Sequence, residues 1–88
     1  AKKRDFEQAF VSAARAVNDE QYRPRALSLQ GVIRIAEGKL IEAEKYFSEA
    51  LFQKPGFSLA LAGLALLAET ERRIEDAGDL YLQALQSE

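Results

Sequence analysis

The sequence contains no cysteine and no histidine. Without cysteine there is no disulfide, no thiolate metal site and no catalytic thiol. Without histidine the chain lacks the commonest general base and the commonest zinc ligand. A Ser-His-Asp arrangement is therefore impossible within this chain alone. Methionine is also missing, even at position 1, which leads to the expectation of a processed or excised piece of a longer protein. Long apolar runs are scarce. The longest stretch free of charge, Pro55 to Ala68, is well short of the roughly 20 residues that cross a bilayer. It sits mid-chain and opens with Pro55-Gly56, so it is not a signal peptide either. Nothing in the chain indicates a compartment.

Charge of one sign is also lacking. The net charge is −2 with a pI near 5.2, which argues against a dedicated nucleic-acid binder, since that function calls for a basic stripe. The only basic run is Lys2-Lys3-Arg4, too short for a nucleic-acid or lipid patch and best read as a solvated helix start. The last third is acidic: residues 58–88 hold two Lys/Arg against six Asp/Glu.

Eighty-eight residues allow one small domain. Its apolar positions recur at spacings of three and four, the period of helices, with no alternation of the strand type. Five helices are predicted. The first spans 5–20, with Phe6, Ala9, Phe10, Ala13, Ala16 and Val17 as its stripe. Pro24 suits the first turn of a second helix running to about Glu37, and Gly38 is a left-handed terminator. The third runs from Leu40 to Gln53 and ends at Pro55-Gly56. The fourth spans 58–70 with Ser58 as its cap. The fifth carries Ala77, Leu80, Tyr81, Ala84 and Leu85. Loops this short make successive helices antiparallel.

One pattern returns after 34 residues. Ala43, Phe47, Ala50 and Leu51 reappear as Ala77, Tyr81, Ala84 and Leu85. The offsets of 0, 4, 7 and 8 mark one face of a helix, and self-similarity at such a period is the signature of stacked repeats. The small alanines allow close helix approach, and the aromatic supplies bulk between them.

These residues resemble the tetratricopeptide repeat (TPR) family. Residues 24–57 match its pattern with Gly31, Ala43, Phe47, Ala50 and Pro55, and Gly38 falls at the turn between helices. Residues 58–88 match with Leu61, Leu64, Ala65, Ala77, Tyr81 and Ala84. Residues 1–22 resemble the second helix of a partial preceding repeat, with Ala9 and Ala16 in phase. The resemblance implies an all-α fold of five helices, two and a half antiparallel helix-turn-helix repeats stacked as a right-handed solenoid over 1–88. Three residues depart from the pattern. Ala13 replaces the aromatic of the half-repeat, and Gln30 and Arg34 stand where Leu and an aromatic are preferred. The second helix then has two orientations open to it: that of the family, and a rotated one that uses Leu29, Val32, Ile33 and Ala36.

The resemblance also implies a concave groove lined by the first helix of each repeat. Its positions fall on Arg25, Ser28, Val32, Ile35 and Ala36, and on Leu59, Ala62, Leu66, Glu69 and Thr70. The groove centre is apolar and suits a peptide or helix of a partner protein. Some TPR domains grip a C-terminal carboxylate with Lys, Asn and Arg; here Ser28, Val32, Ala62, Gly63 and Leu66 occupy that neighbourhood, so the clamp is absent. The competing reading is that these apolar residues are core, which is favoured for Leu61, Leu64 and Ala65. Residues 57–68 are apolar on every side, so a ligand, a symmetry mate or further repeats are expected to cover the second face.

The acidic residues Glu69, Glu71, Glu75, Asp76 and Asp79 read as a solvated helix face rather than a metal or acid–base site. No phosphate loop or nucleophile motif occurs. The expected function is a non-catalytic protein-binding scaffold without cofactor, metal, nucleic-acid or membrane partner. The alternatives are self-association through the apolar helix 57–70, and a docking or regulatory segment of a larger enzyme.

Overall fold

The computed structural model describes the backbone of residues 3–87 and the side chains of residues 5–87. The run Lys2-Lys3-Arg4 therefore lies outside the described side chains. The fold is all-helical: α1 (Lys3–Ala16), α2 (Arg23–Ala36), α3 (Leu40–Gln53), α4 (Ser58–Thr70) and α5 (Ile74–Gln86). Among the described residues there is no strand.

The 34-residue period governs the backbone as well as the sequence. Shifted by 34, the bounds of α2 and α3 fall within one residue of those of α4 and α5. The turns between them recur in detail. Gly38 takes φ +80° and its counterpart Arg72 takes φ +63°. The Lys39 N–H donates to the Arg34 carbonyl at 2.8 Å, and the Arg73 N–H donates to the Ala68 carbonyl at 2.8 Å. Gly38 N–H to Ile35 O is matched by Arg72 N–H to Glu69 O, at 2.9 and 3.0 Å. Each pair closes a Schellman motif, which satisfies carbonyls that a helix end leaves without partners. Glycine meets the left-handed requirement in the first turn; arginine carries strain there in the second.

Two expectations at helix ends are corrected. The first helix stops at Ala16 rather than 20. The Asp19 carboxylate accepts the Gln21 N–H at 3.0 Å, and Arg23 Nε donates to the Val17 carbonyl at 2.7 Å, so local polar groups replace another helical turn. Ser58 is not the cap of α4. Phe57 holds that place, its carbonyl accepting the Leu61 N–H at 3.1 Å, and Ser58 is the first helical residue.

The closest partnerships are α2 with α3 and α4 with α5. α1 packs on α2, α3 on α4, and α2 on α4, whereas the backbones of α1, α3 and α5 stay apart, α1 touching α3 through the Phe10 and Tyr46 rings. The shortest dimension, 18 Å, fits two layers of helices about 10 Å in diameter. The core is alanine-rich: Ala26, Ala43, Ala50, Ala60, Ala65 and Ala68 are buried around Leu27, Phe47 and Leu67. One edge of the Phe47 ring lies against both Gly31 of α2 and Gly63 of α4, where a side chain on either glycine would collide with it. That ring joins three helices.

α2 keeps the unrotated orientation. Leu27, Gln30 and Gly31 face inward, while Leu29 and Ala36 are exposed. Arg34 supplies the flat surface that an aromatic would have given. Its guanidinium stacks over the Phe10 ring at 3.9 Å, pairs with Glu37 at 2.5 Å, and approaches Glu42 at 3.4 Å. Phe10 in turn meets Tyr46 edge to face at 5.7 Å. Burial alone would lower the Arg34 pKa, but hydrogen bonding and the charge of Glu37, with Tyr46 adding to them, raise it. Planarity and permanent charge suit arginine to this stacked and paired position.

The apolar helix α4 is central. Ala60, Leu61, Gly63, Ala65, Leu67 and Ala68 are buried, and Leu59, Ala62 and Leu64 are half-buried. α2, α3 and α5 all pack on it, and they leave Leu59 and Ala62 half-covered and Leu66, at 38% exposure, as its one exposed large apolar residue.

Candidate functional site

The residues expected to line a groove occupy α2 and α4, two helices in contact. Val32, Ile35, Leu59 and Ala62 are half-buried, and Arg25, Leu66, Glu69 and Thr70 are exposed. Ala36 is exposed at the end of α2. Together they give an apolar face with polar residues at its margins. Ser28 is the exception. It is buried, and its hydroxyl donates to the Pro24 carbonyl at 2.8 Å, so the expectation that it lines the groove is corrected: this side of α2 turns into the protein. Thr70 likewise donates to its own helix, at the Leu66 carbonyl at 2.9 Å. Glu69 accepts the Tyr81 hydroxyl, which ties the C-terminal end of α4 to α5.

A second apolar surface is deeper. An open groove of about 600 Å³ lies between α1 and α2. Ala9, Ala13 and Ala16 form one wall, and Ala26, Leu29 and Ile33 the other; Tyr22 and Arg25 also line it. Only Arg25 and Val32 belong to both surfaces. Sequence reasoning missed this groove, although two signals pointed to it. Ala13 stands where the 34-residue pattern places an aromatic, and small residue for large leaves space. Leu29, Val32 and Ile33 form a stripe that the interior does not use.

The polar groups do not converge on a cavity. Arg73 bridges Glu71 at 2.6 Å and Asp76 at 3.4 Å on the surface, and these contacts raise its pKa, the hydrogen bond to Glu71 foremost. The Tyr81 phenol is raised above its ordinary 10.0 by its hydrogen bond to Glu69, with burial and the charge of that carboxylate adding to the effect. Among the described residues, no group of three or more Cys, Asp or Glu side chains is placed to hold a metal ion. Among the described residues, no helix is long and apolar enough to cross a membrane.

Compared with family models, curated proteins and solved structures, the chain matches none of them.

Proposed function

We propose that the protein is a non-catalytic scaffold, built from TPR-like repeats, that binds an apolar segment of another protein across the face of α2 and α4. The observation that supports this reading is the strip of Val32, Ile35, Leu59, Ala62 and Leu66, half-buried or exposed on adjacent helices. The recurrence of helix bounds and turn geometry at 34 residues supports repeats of one hairpin. Backbone packing of α2 against α4, with the backbones of α1, α3 and α5 apart, suits a right-handed solenoid with the even helices on its concave side. A partner helix or extended segment would displace water from the strip, each well-buried anchor contributing roughly 1.5–3 kcal/mol before ordering costs. Arg25 and Glu69 at its two ends would set direction rather than strength.

Leu66→Glu and Ile35→Glu test the assignment. Both place a charge in the strip without altering a buried position. A partner retained by the parent protein in a pull-down should be lost by both variants while the helical circular dichroism spectrum is unchanged. Full retention by either variant rules out this face as the binding surface.

A further inference from the structure

The groove between α1 and α2 has an internal counterpart. Moving 34 residues along from Ala9, Ala13, Ala26, Leu29 and Ile33 gives Ala43, Phe47, Ala60, Gly63 and Leu67. All five of these are buried. They form a seat between α3 and α4, and α2 fills it, with Gly31 against the Phe47 ring. The same seat recurs between α1 and α2, where it stands open. What it fits is therefore a helix, lying antiparallel to α1 as α2 lies to α3.

The opposite end of the protein offers such a helix. On α5, Ile74, Gly78, Tyr81 and Leu85 follow one another at intervals of four, three and four, which is one flank of a helix. Ile74 is 67% exposed, Leu85 68% and Tyr81 38%. A Cβ placed on Gly78 would meet nothing within 4 Å. Of the 34-residue counterparts on α3, Phe47 is buried and Leu40 and Leu51 are half-buried, while Glu44 is exposed, so the apolar positions of this flank are ones that neighbouring helices cover in the preceding unit. Of the other exposed apolar residues of the outer layer, Leu82 borders this flank, and Val11, Ile41 and Phe52 lie on other helices.

Charge matches the two ends. α2 carries Arg23, Arg25 and Arg34 with no acidic residue, and α5 carries Glu75, Asp76 and Asp79 with no basic one. A helix antiparallel to α1 runs parallel to α2. That orientation brings the acidic first turns of α5 to the end of α2 where Arg25 lines the groove.

We propose that α5 of a second copy of this chain docks in the groove between α1 and α2, so that copies associate head to tail. The two surfaces differ, so the contact is heterologous and leaves each added copy with one face free. Mass should rise steadily with concentration rather than stop at a dimer.

The test uses the 88-residue chain and light scattering over micromolar to millimolar concentration. The parent should exceed its monomer mass of 9.8 kDa increasingly as it is concentrated. Leu29→Arg disables the groove and Leu85→Glu disables the α5 flank, both at exposed positions. Each variant alone should stay monomeric, and an equimolar mixture should form a heterodimer of twice the monomer mass and grow no further. Arg25→Glu should weaken association of the parent, and mixing it with Asp79→Arg should restore it; this milder pair decides the matter if either apolar variant loses helical signal. A parent that is monomeric throughout, a closed dimer, a single variant that associates as the parent does, or a mixture that stays monomeric would each overturn the proposal.

Discussion

Replacing Gly63 with alanine adds one methyl group to a helix, a change that on an open surface contributes about 0.8–1.0 kcal/mol of stability. At this position the sign should reverse. The new Cβ would lie 2.2 Å from Cε1 and 2.5 Å from Cζ of Phe47, whereas carbons in contact prefer about 3.5–4.0 Å. The ring cannot retreat, because Phe47 is fully buried and the same ring edge already faces Gly31 across the interface, where a Cβ would lie 2.6 Å away. Overpacking of a well-filled core costs about 1–3 kcal/mol. Set against the gain in helix propensity, the net expectation for Gly63→Ala is a loss of up to about 2 kcal/mol, with a smaller loss for Gly31→Ala, where the overlap is less. Gly78→Ala is the internal control, since a Cβ there meets nothing within 4 Å; it should stabilise by about 0.8–1.0 kcal/mol. Urea denaturation at micromolar protein, followed by circular dichroism, reads all three. Trimming the ring with Phe47→Leu should shrink the penalty of Gly63→Ala, since the two changes share one contact. If Gly63→Ala stabilises the protein as much as Gly78→Ala does, the account of Phe47 as the wedge between α2 and α4 is refuted.

Three further outcomes follow from buried or strained groups. Gln30 is buried and its Oε1 has no hydrogen-bond partner, so Gln30→Leu should raise the denaturation midpoint by removing an uncompensated polar atom, by about 1–2 kcal/mol. Arg72 holds φ +63°, a left-handed conformation costing roughly 1–2 kcal/mol for residues with a side chain; Arg72→Gly should stabilise, while Gly38→Ala at the matching turn should destabilise, each read by thermal melting. Because the Tyr81 pKa is raised above 10.0 by Glu69, the stabilisation it brings is fully present below pH 10 and is lost as pH rises through the folded value. Glu69→Gln should therefore shift tyrosinate formation at Tyr81 to lower pH in an absorbance titration and flatten the alkaline fall in stability.

The helices themselves were legible in the sequence because period and punctuation agree. Gly38 and Pro55-Gly56 stop helices where stops were predicted, and the 34-residue return of Ala43, Phe47 and Ala50 marks residues that are all fully buried. The end of α1 was less legible because Asp19 and Arg23 act through side-chain bonds to the backbone, which composition does not reveal. The orientation of α2 was open for a different reason. Its apolar stripe competes with a polar one, and the polar one prevails since Arg34 finds Phe10, Glu37 and Glu42. How much of α4 is covered depends on three neighbours at once, a tertiary fact beyond any single-helix pattern. Of the candidate binding positions, Ser28 was misplaced because a hydroxyl can be buried when its own helix accepts its proton.

Each helix packs only against its neighbours in the chain or against the helix next but one. Contacts of such short sequence separation close small loops, which ordinarily makes folding fast. The wedge at Phe47 adds order to that process, because α2, α3 and α4 must all be present before its ring finds both glycines. We expect those three helices to form the first cooperative unit. α1, held through α2 and a single ring contact with α3, should be the first to exchange its amide protons with solvent.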